Sequence, residues 1–450
     1  MKYKSDLFAV HLNEFNLNYL TIGAKKYRCK SILELFKLKK IETYTQDIKQ
    51  NFNLDPWVQS VSINTGKKSK KHKILNLGQK IPRNTNQIWD VLSTKKINCS
   101  VWGTMNSTLK KNKFIDLYFP DPWNFNDKPH PINLKKLFYL PNYYAKNYLD
   151  FSFFKTLYLG VTFFFECLFN KCFYFFLCNF SFILKSIFNC GFKNFILFFF
   201  FDLISLNILK YKLQNKRSNF SIIFLNSLAH FQHNNWDEKK NEKYYFLFTE
   251  LIFKEILNIQ RYYKSSIIFN GFTQNKIKSE FLLRPKNPNY FLDNLNIKFS
   301  SIEQDMTNGA FVFFKNEAEQ KECQIKLNSF YIYNFKVFDV KKISKVSLFY
   351  KIKIKSFKKI SLNENSNLND CLKQISYVDN KKIINENNNK KKIDYFFIKY
   401  FFNNINFIKT TGIHSTEGVL FYKNIFIEEK KTKKIENHKI FNLILNHFNI

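Results

Sequence analysis

At 450 residues with 45% hydrophobic side chains, the chain can bury a large core, which excludes a disordered polymer and favours one large domain carrying insertions. Its 71 Lys and Arg against 35 Asp and Glu leave a formal charge of +36, a balance that suits nucleic acid or an anionic surface. Only five of those cations are arginine, however, and Phe, Asn, Ile and Lys, which share A/T-rich codons, are in excess; coding bias accounts for the charge, and nucleic acid is not the expected partner.

The first residues, MKYKSDLFAVHLNEF, hold no long apolar segment of signal-peptide type, and the eight cysteines are scattered without a CxxC pair. A cytoplasmic, reducing location is therefore expected, with neither a zinc finger nor a disulfide framework. Residues 6–12 (DLFAVHL) read as a buried strand that breaks into polar NEFNLN. A helix is expected over 30–40, and strands over 56–65 and 98–103 with Gly66 and Gly103 as breakers. Residues 1–150 thus form the first part of an α/β core.

Residues 151–211 are the most apolar part of the chain. Charges at Lys155, Glu166, Lys171, Lys185, Lys193 and Asp202 interrupt them, and the longest uncharged run, Cys172 to Leu184, has thirteen residues. A membrane span needs about 18–20. The expectation is a helical insertion that packs on the core or roofs a site, with membrane-surface contact as a second use. Within 212–281, FSIIFLNSLAH (220–230) and SSIIFNGF (265–272) repeat the plan of an apolar run ending in a polar turn. A small α+β insertion follows over 282–400, with a strand at 310–314, a helix over 315–327 and an Asn/Lys-rich loop over 362–394. Residues 401–450 return to the core. Strands alternating with helices predict an α/β fold, a mostly parallel sheet flanked by helices, with chemistry at the strands' carboxyl ends. The polar tips Asn13–Glu14, Asn226–His230 and Asn270 lie there.

Several segments, in order, resemble the type I phosphodiesterase/nucleotide pyrophosphatase group of the alkaline phosphatase superfamily. LNEFNLNYL (12–20) parallels I-D-G-x-R-P-D-Y-L, and TGKKSKKHKI (65–74) parallels T-G-x-x-P-x-x-H-G-I. QIW (87–89) and VWG (101–103) parallel P-I-W and W-P-G, NSLAH (226–230) parallels D-x-x-G-H, and GIHSTEGVL (412–420) resembles the motif that delivers a last ligand His, here His414. The resemblance implies an alkaline-phosphatase-like fold and hydrolysis or transfer of phosphate or sulfate esters at a divalent metal site. The variant forms NEFN, DPWVQ, LAHFQH and HSTEG are also similar to divergent bacterial members, which by analogy suggests a phosphorylated or sulfated small molecule or glycan as partner.

The implied metal site is altered. Asn13, Asn226 and Asn270 stand where the pattern has Asp, and Gly271 where it has His. Three lost carboxylates weaken the hold on a hard cation, so one zinc or manganese ion is expected rather than two. The implied ligands are Asn13, with Glu14 swinging in beside it, then Asn226, His230 and His414, with His233 a lesser candidate. The pattern's nucleophilic Thr falls at Pro56, which leaves neighbouring Asp55 as nucleophile or ligand; Ser60 and Ser62 are nearby. Structural roles compete at each position. An Asn that ends a strand is commonly a turn residue, and two His three apart are commonly a hydrogen-bonded pair. His72 reads as a loop buttress, the Trp residues as core or pocket wall, and Asp121 as part of a rigid turn. Three functions follow: a metal-dependent esterase or transferase, a non-catalytic binding or scaffolding relative, and a basic protein resting on a membrane.

Overall fold

Alternation along the strands decides which side chain enters which layer. A computed structural model describes residues 6–47, 54–147, 152–191, 193–304, 308–332, 335–356, 375–377, 395–427 and 434–450. Strands β1 (Leu7–Leu12), β2 (Lys39–Tyr44), β3 (Cys99–Trp102), β4 (Ile115–Phe119), β5 (Phe220–Leu225) and β6 (Ser265–Phe269) join Glu417–Lys423 and Lys434–Glu436 in one sheet. Its order is Lys434–Glu436, β2, Glu417–Lys423, β6, β1, β5, β3, β4. The five strands from β6 to β4 are parallel, and Glu417–Lys423 runs antiparallel to both of its neighbours.

On one face Phe8, Val10 and Leu12 pack with Ile223 and Leu225; on the other, Leu7 and Ala9 pack with Phe220 and Ile222. That is the period of two expected of strands buried on both sides. The accompanying helices are α1 (Leu17–Lys26), α2 (Lys30–Leu35), α3 (Pro56–Thr65), α4 (Ser69–His72), α5 (Ile88–Thr94) and α6 (Lys135–Asn147). They continue as α7 (Phe153–Phe169), α8 (Phe173–Cys190), α9 (Asn194–Asn215), α10 (Ser227–Asn234) and α11 (Lys239–Gln260). Residues of α1, α2, α9 and α11 fill the first layer, and residues of α3, α5 and the helix Ile440–His447 fill the second. Each large side chain so buried contributes about 1.5–3 kcal/mol.

Two expectations change here. Residues 56–65 form helix α3, not a strand: Pro56 occupies its first turn and Gly66 ends it at φ +65°. Pro inside the start and Gly past the end bracket a helix whatever the pattern between them. Within it the Ser62 and Thr65 hydroxyls donate back to the Val58 and Val61 carbonyls, as such residues do inside helices. The helix expected over 30–40 stops at Leu35, because from Lys39 the chain enters β2 with Ile41 and Thr43 facing inward. The apolar stretch 151–211 supplies α7, α8 and α9.

Residues Ile277–Thr411 form a second unit. Antiparallel strands Phe338–Ser344, Ser347–Ile352, Gly309–Phe313 and Ser301–Gln304 lie side by side in that order, with helix Glu317–Ser329 against them. Phe291, Val312, Phe338, Tyr350 and Phe401 build its separate core. Of the expected loop at 362–394, residues 375–377 form a short strand and the rest lies outside the described residues.

Candidate metal centre

Three strands of the sheet end side by side. Leu12 is level with Leu225 of β5, and His11 with Phe269 of β6, so Asn13, Asn226 and Asn270 emerge together at the carboxyl edge. Past Asn13 the chain turns through Glu14, whose φ of +52° lies in the left-handed region. That conformation costs a residue with a Cβ about 1–2 kcal/mol. Gln232 of α10 holds the turn: its Nε2 donates to the Glu14 carbonyl at 3.0 Å, and its Oε1 accepts the Asn16 N–H at 2.8 Å.

The strained turn delivers a fully buried carboxylate. Glu14 Oε2 lies 3.1 Å from His233 Nε2 and 3.0 Å from His414 Nε2, and it also accepts from Gln274 Nε2. Burial by itself would push the Glu14 carboxyl up; the positive potential of His414 and His233 outweighs it and holds the group well below the usual carboxylate range. His233 is carried by α10, whose first amides are held in turn by α9. Asp202 accepts the N–H groups of Asn226 at 2.9 Å and Ser227 at 2.8 Å, and burial raises its carboxyl to about 6. His414 arrives on strand Ile405–Ser415 two residues after Gly412. A Cβ on Gly412 would sit 2.3 Å from Gln274 Oε1 and 2.8 Å from the Gln232 carbonyl, so glycine is what lets this strand approach α10.

The remaining expected ligands form an adjoining chain of neutral groups. Asn13 Nδ2 donates to Asn226 Oδ1 at 2.6 Å, and Asn226 Nδ2 lies 3.2 Å from His230 Nε2. The His230 ring stacks on Phe198 of α9 at 3.3 Å, and burial, reinforced by His233, lowers its pKa to about 3. Two carboxylates at that spacing would repel; two amides bond. Asn270 serves the backbone at both ends, accepting from Val419 N at 2.7 Å and donating to the Phe15 carbonyl at 2.9 Å.

Of the residues singled out in the sequence, the structure therefore brings Glu14 and His414 together with His233. Asn13, Asn226 and His230 lie in the hydrogen-bonded chain beside them. Three residues around α10 separate the two imidazoles: His230 turns under Phe198 and His233 turns toward Glu14. Asp55 is the half-buried N-cap of α3 and is not one of the gathered ligands. Ser60 and Ser62 are buried in α3, Ser62 lying 3.0 Å from His72 Nε2. His72 accepts the Ile74 N–H through Nδ1, and burial lowers its pKa to about 4. Asp121 accepts the Trp123 N–H at 2.7 Å, and burial pushes it up to about 7. Gln232, Gln274 and Asp202 are not singled out by the sequence. Only the place of Gln232 between His230 and His233 in LAHFQH hints at the first, and Asp202 is one of the charges that interrupt the apolar run 151–211.

Glu14, His233 and His414 form a group able to hold a divalent cation, their ligand atoms lying within 4.8 Å of one another. The donor chemistry fits. Ligands at about 2.0–2.1 Å in a tetrahedron stand about 3.3 Å apart, close to the spacing seen here. Glu14 Oε1 and Asn13 Oδ1 are buried with no hydrogen-bond partner among the described residues, which leaves lone pairs free. The His233 and His414 side chains remain 32% and 24% exposed, so one side of the group faces solvent. Three protein ligands with an open side is the arrangement of a reactive rather than a sealed metal site.

No family model matches the chain, and no curated protein matches it. Among solved structures it is similar to murine ectonucleotide pyrophosphatase/phosphodiesterase 5, with a TM-score of 0.46, 9% identity and coverage of 99% of this chain and 95% of that one. The human protein of the same name gives the same figures. Phosphonoacetate hydrolase from Sinorhizobium meliloti is similar at a TM-score of 0.39 and 8% identity, covering 99% of this chain and 96% of that one.

Proposed function

We propose that the chain is a divalent-metal-dependent hydrolase or transferase of phosphate or sulfate esters, of alkaline-phosphatase type, working with a single ion held by Glu14, His233 and His414. The observation that carries this reading is the convergence of one carboxylate and two imidazoles at the carboxyl edge of the parallel strands, with a buried carboxylate oxygen that has no hydrogen-bond partner among the described residues. Backbone strain retained at Glu14 to present that carboxylate supports it, because such strain collects at functional sites. The mixed nitrogen and oxygen set suits zinc, with manganese as the alternative. A divalent ion bound there would act as a Lewis acid toward a phosphoryl or sulfuryl oxygen.

The chain's own groups supply the rest. Before an ion binds, His233 and His414 hold Glu14 ionised; as ligands they would be neutral and the ion would take over that role, while Gln274 and Gln232 fix the direction of Glu14. Asn13 and Asn226 present amides beside an ester oxygen without adding negative charge, which suits an anionic substrate. Asp55, at the N-terminus of α3, is the proposed nucleophile on the sequence resemblance, and the phosphorylated or sulfated group is carried by a small molecule or glycan. A second reading, a binding or scaffolding relative without turnover, is favoured by the Asn13–Asn226 bond, which closes with amides the place where the resembled pattern has two carboxylates.

Metal content by elemental analysis and zinc or manganese titration calorimetry test the first reading, followed by a screen of phosphodiesters, phosphomonoesters and sulfate esters. One equivalent of metal is expected, lost in Glu14→Gln and His414→Ala. A wild-type protein that binds neither ion, or variants that bind as well as the parent, would sink it. Metal binding without turnover across the screen would support the binding-module reading.

A further inference from the structure

Helices α7 and α8 bury one apolar face and leave a second one uncovered. On α7, Leu159, Phe163 and Cys167 recur every fourth residue and enter the core. The opposite side carries Phe153, Phe154, Leu157, Val161 and Phe165, all exposed, with Phe154 at 81%. On α8, Tyr174, Leu177, Phe180, Leu184 and Phe188 are exposed likewise, Phe188 at 86%. Aromatic side chains of this size in solvent are far more apolar surface than a water-facing helix normally shows.

Charge decides what covers it. Between Lys135 and Lys193 the sequence has seven lysines against Asp150 and Glu166, and Glu166 lies 3.4 Å from Lys136. Lys155 on α7, Lys171 between the helices and Lys185 on α8 are exposed on the same pair of helices, Lys155 reaching over the Tyr143 ring of α6. A second copy would oppose these lysines with its own across a self-complementary face, in a protein whose formal charge is already +36. An anionic layer offers the opposite sign. No helix among the described residues is long and apolar enough to cross a membrane, so these helices would lie in the plane of one.

We infer that the α7–α8 face docks on an anionic lipid bilayer, its phenylalanines entering the acyl boundary and its lysines meeting the headgroups. The inference rests on this face alone and is independent of the metal centre. Flotation of the full-length protein with vesicles tests it, using phosphatidylcholine alone against an equimolar mixture with phosphatidylglycerol. The protein should rise with the anionic vesicles and stay down with the neutral ones, and high salt should weaken the binding. Lys155→Ala, Lys171→Ala and Lys185→Ala together should lower partitioning about 100-fold. Phe154→Glu with Phe188→Glu should abolish it while leaving the melting temperature unchanged, since both side chains stand in solvent. Absence of flotation with either vesicle would overturn the inference. So would a concentration-dependent dimer that the Phe→Glu variant dissolves, which would identify the occupant as a second copy, and so would equal binding to both vesicle types.

Discussion

Replacing Gly412 by Ala tests how the candidate metal centre is assembled. The added Cβ would lie 2.3 Å from Gln274 Oε1 and 2.8 Å from the Gln232 carbonyl oxygen, against an ordinary contact of about 3.4 Å. The Gln274 amide is a side-chain end and could rotate, but it also donates to Glu14, so rotation gives up that bond. The Gln232 carbonyl is helix backbone one residue before His233 and cannot yield alone. Strand Ile405–Ser415 must therefore retreat by roughly half an ångström, carrying His414 with it. Overpacking of this kind costs about 1–3 kcal/mol of stability. Metal ligation tolerates only about 0.2 Å, so zinc affinity should fall by at least about tenfold. Thermal unfolding with and without zinc reads both effects. At a zinc concentration 100 times the wild-type Kd, the wild type should gain about 2.7 kcal/mol and the variant about 1.4 or less. A Gly412→Ala protein with unchanged stability and the full zinc-induced rise in Tm would refute the argument.

Other substitutions probe separate terms. Glu14→Gly should remove the left-handed strain, raising metal-free stability relative to Glu14→Gln by about 1 kcal/mol, while neither variant retains zinc in a dialysis and elemental assay. Asp121 has its pKa raised to about 7 by burial, so its contribution is fully present below about 3.8 and is lost as pH rises through 7. Asp121→Asn, which keeps the acceptor for Trp123, should leave stability at pH 4 unchanged and raise it at pH 8 by about 2–4 kcal/mol in urea unfolding. The opposite case is His72, lowered to about 4 by burial. Its unfolded form takes up a proton below about 6.5 while the folded form does not, so stability should fall by about 3 kcal/mol between pH 6.5 and 4, and a His72→Gln variant should show a flatter profile.

The parallel core was legible in the sequence because buried strands read as short apolar runs ending in polar tips. β1, β3, β5 and β6 are such runs, and each delivers its tip to the same edge. Local pattern misread 56–65, where serines at alternate positions imitate a strand and only Asp55–Pro56 and Gly66 announce a helix. The sequence also placed asparagines at 13, 226 and 270, where the resembled pattern has carboxylates, and offered Glu14 and His414 as candidate ligands. It could not determine which histidine of α10 joins them, because a His-x-x-His spacing places both near one side of a helix. Tertiary packing decided that: Phe198 arrives from α9 to cover His230, and Gly412 admits the strand that sets His414 beside Glu14 and His233. Those contacts link residues far apart in the chain, and their geometry is fixed by the packing of whole helices and strands rather than by any neighbouring side chain.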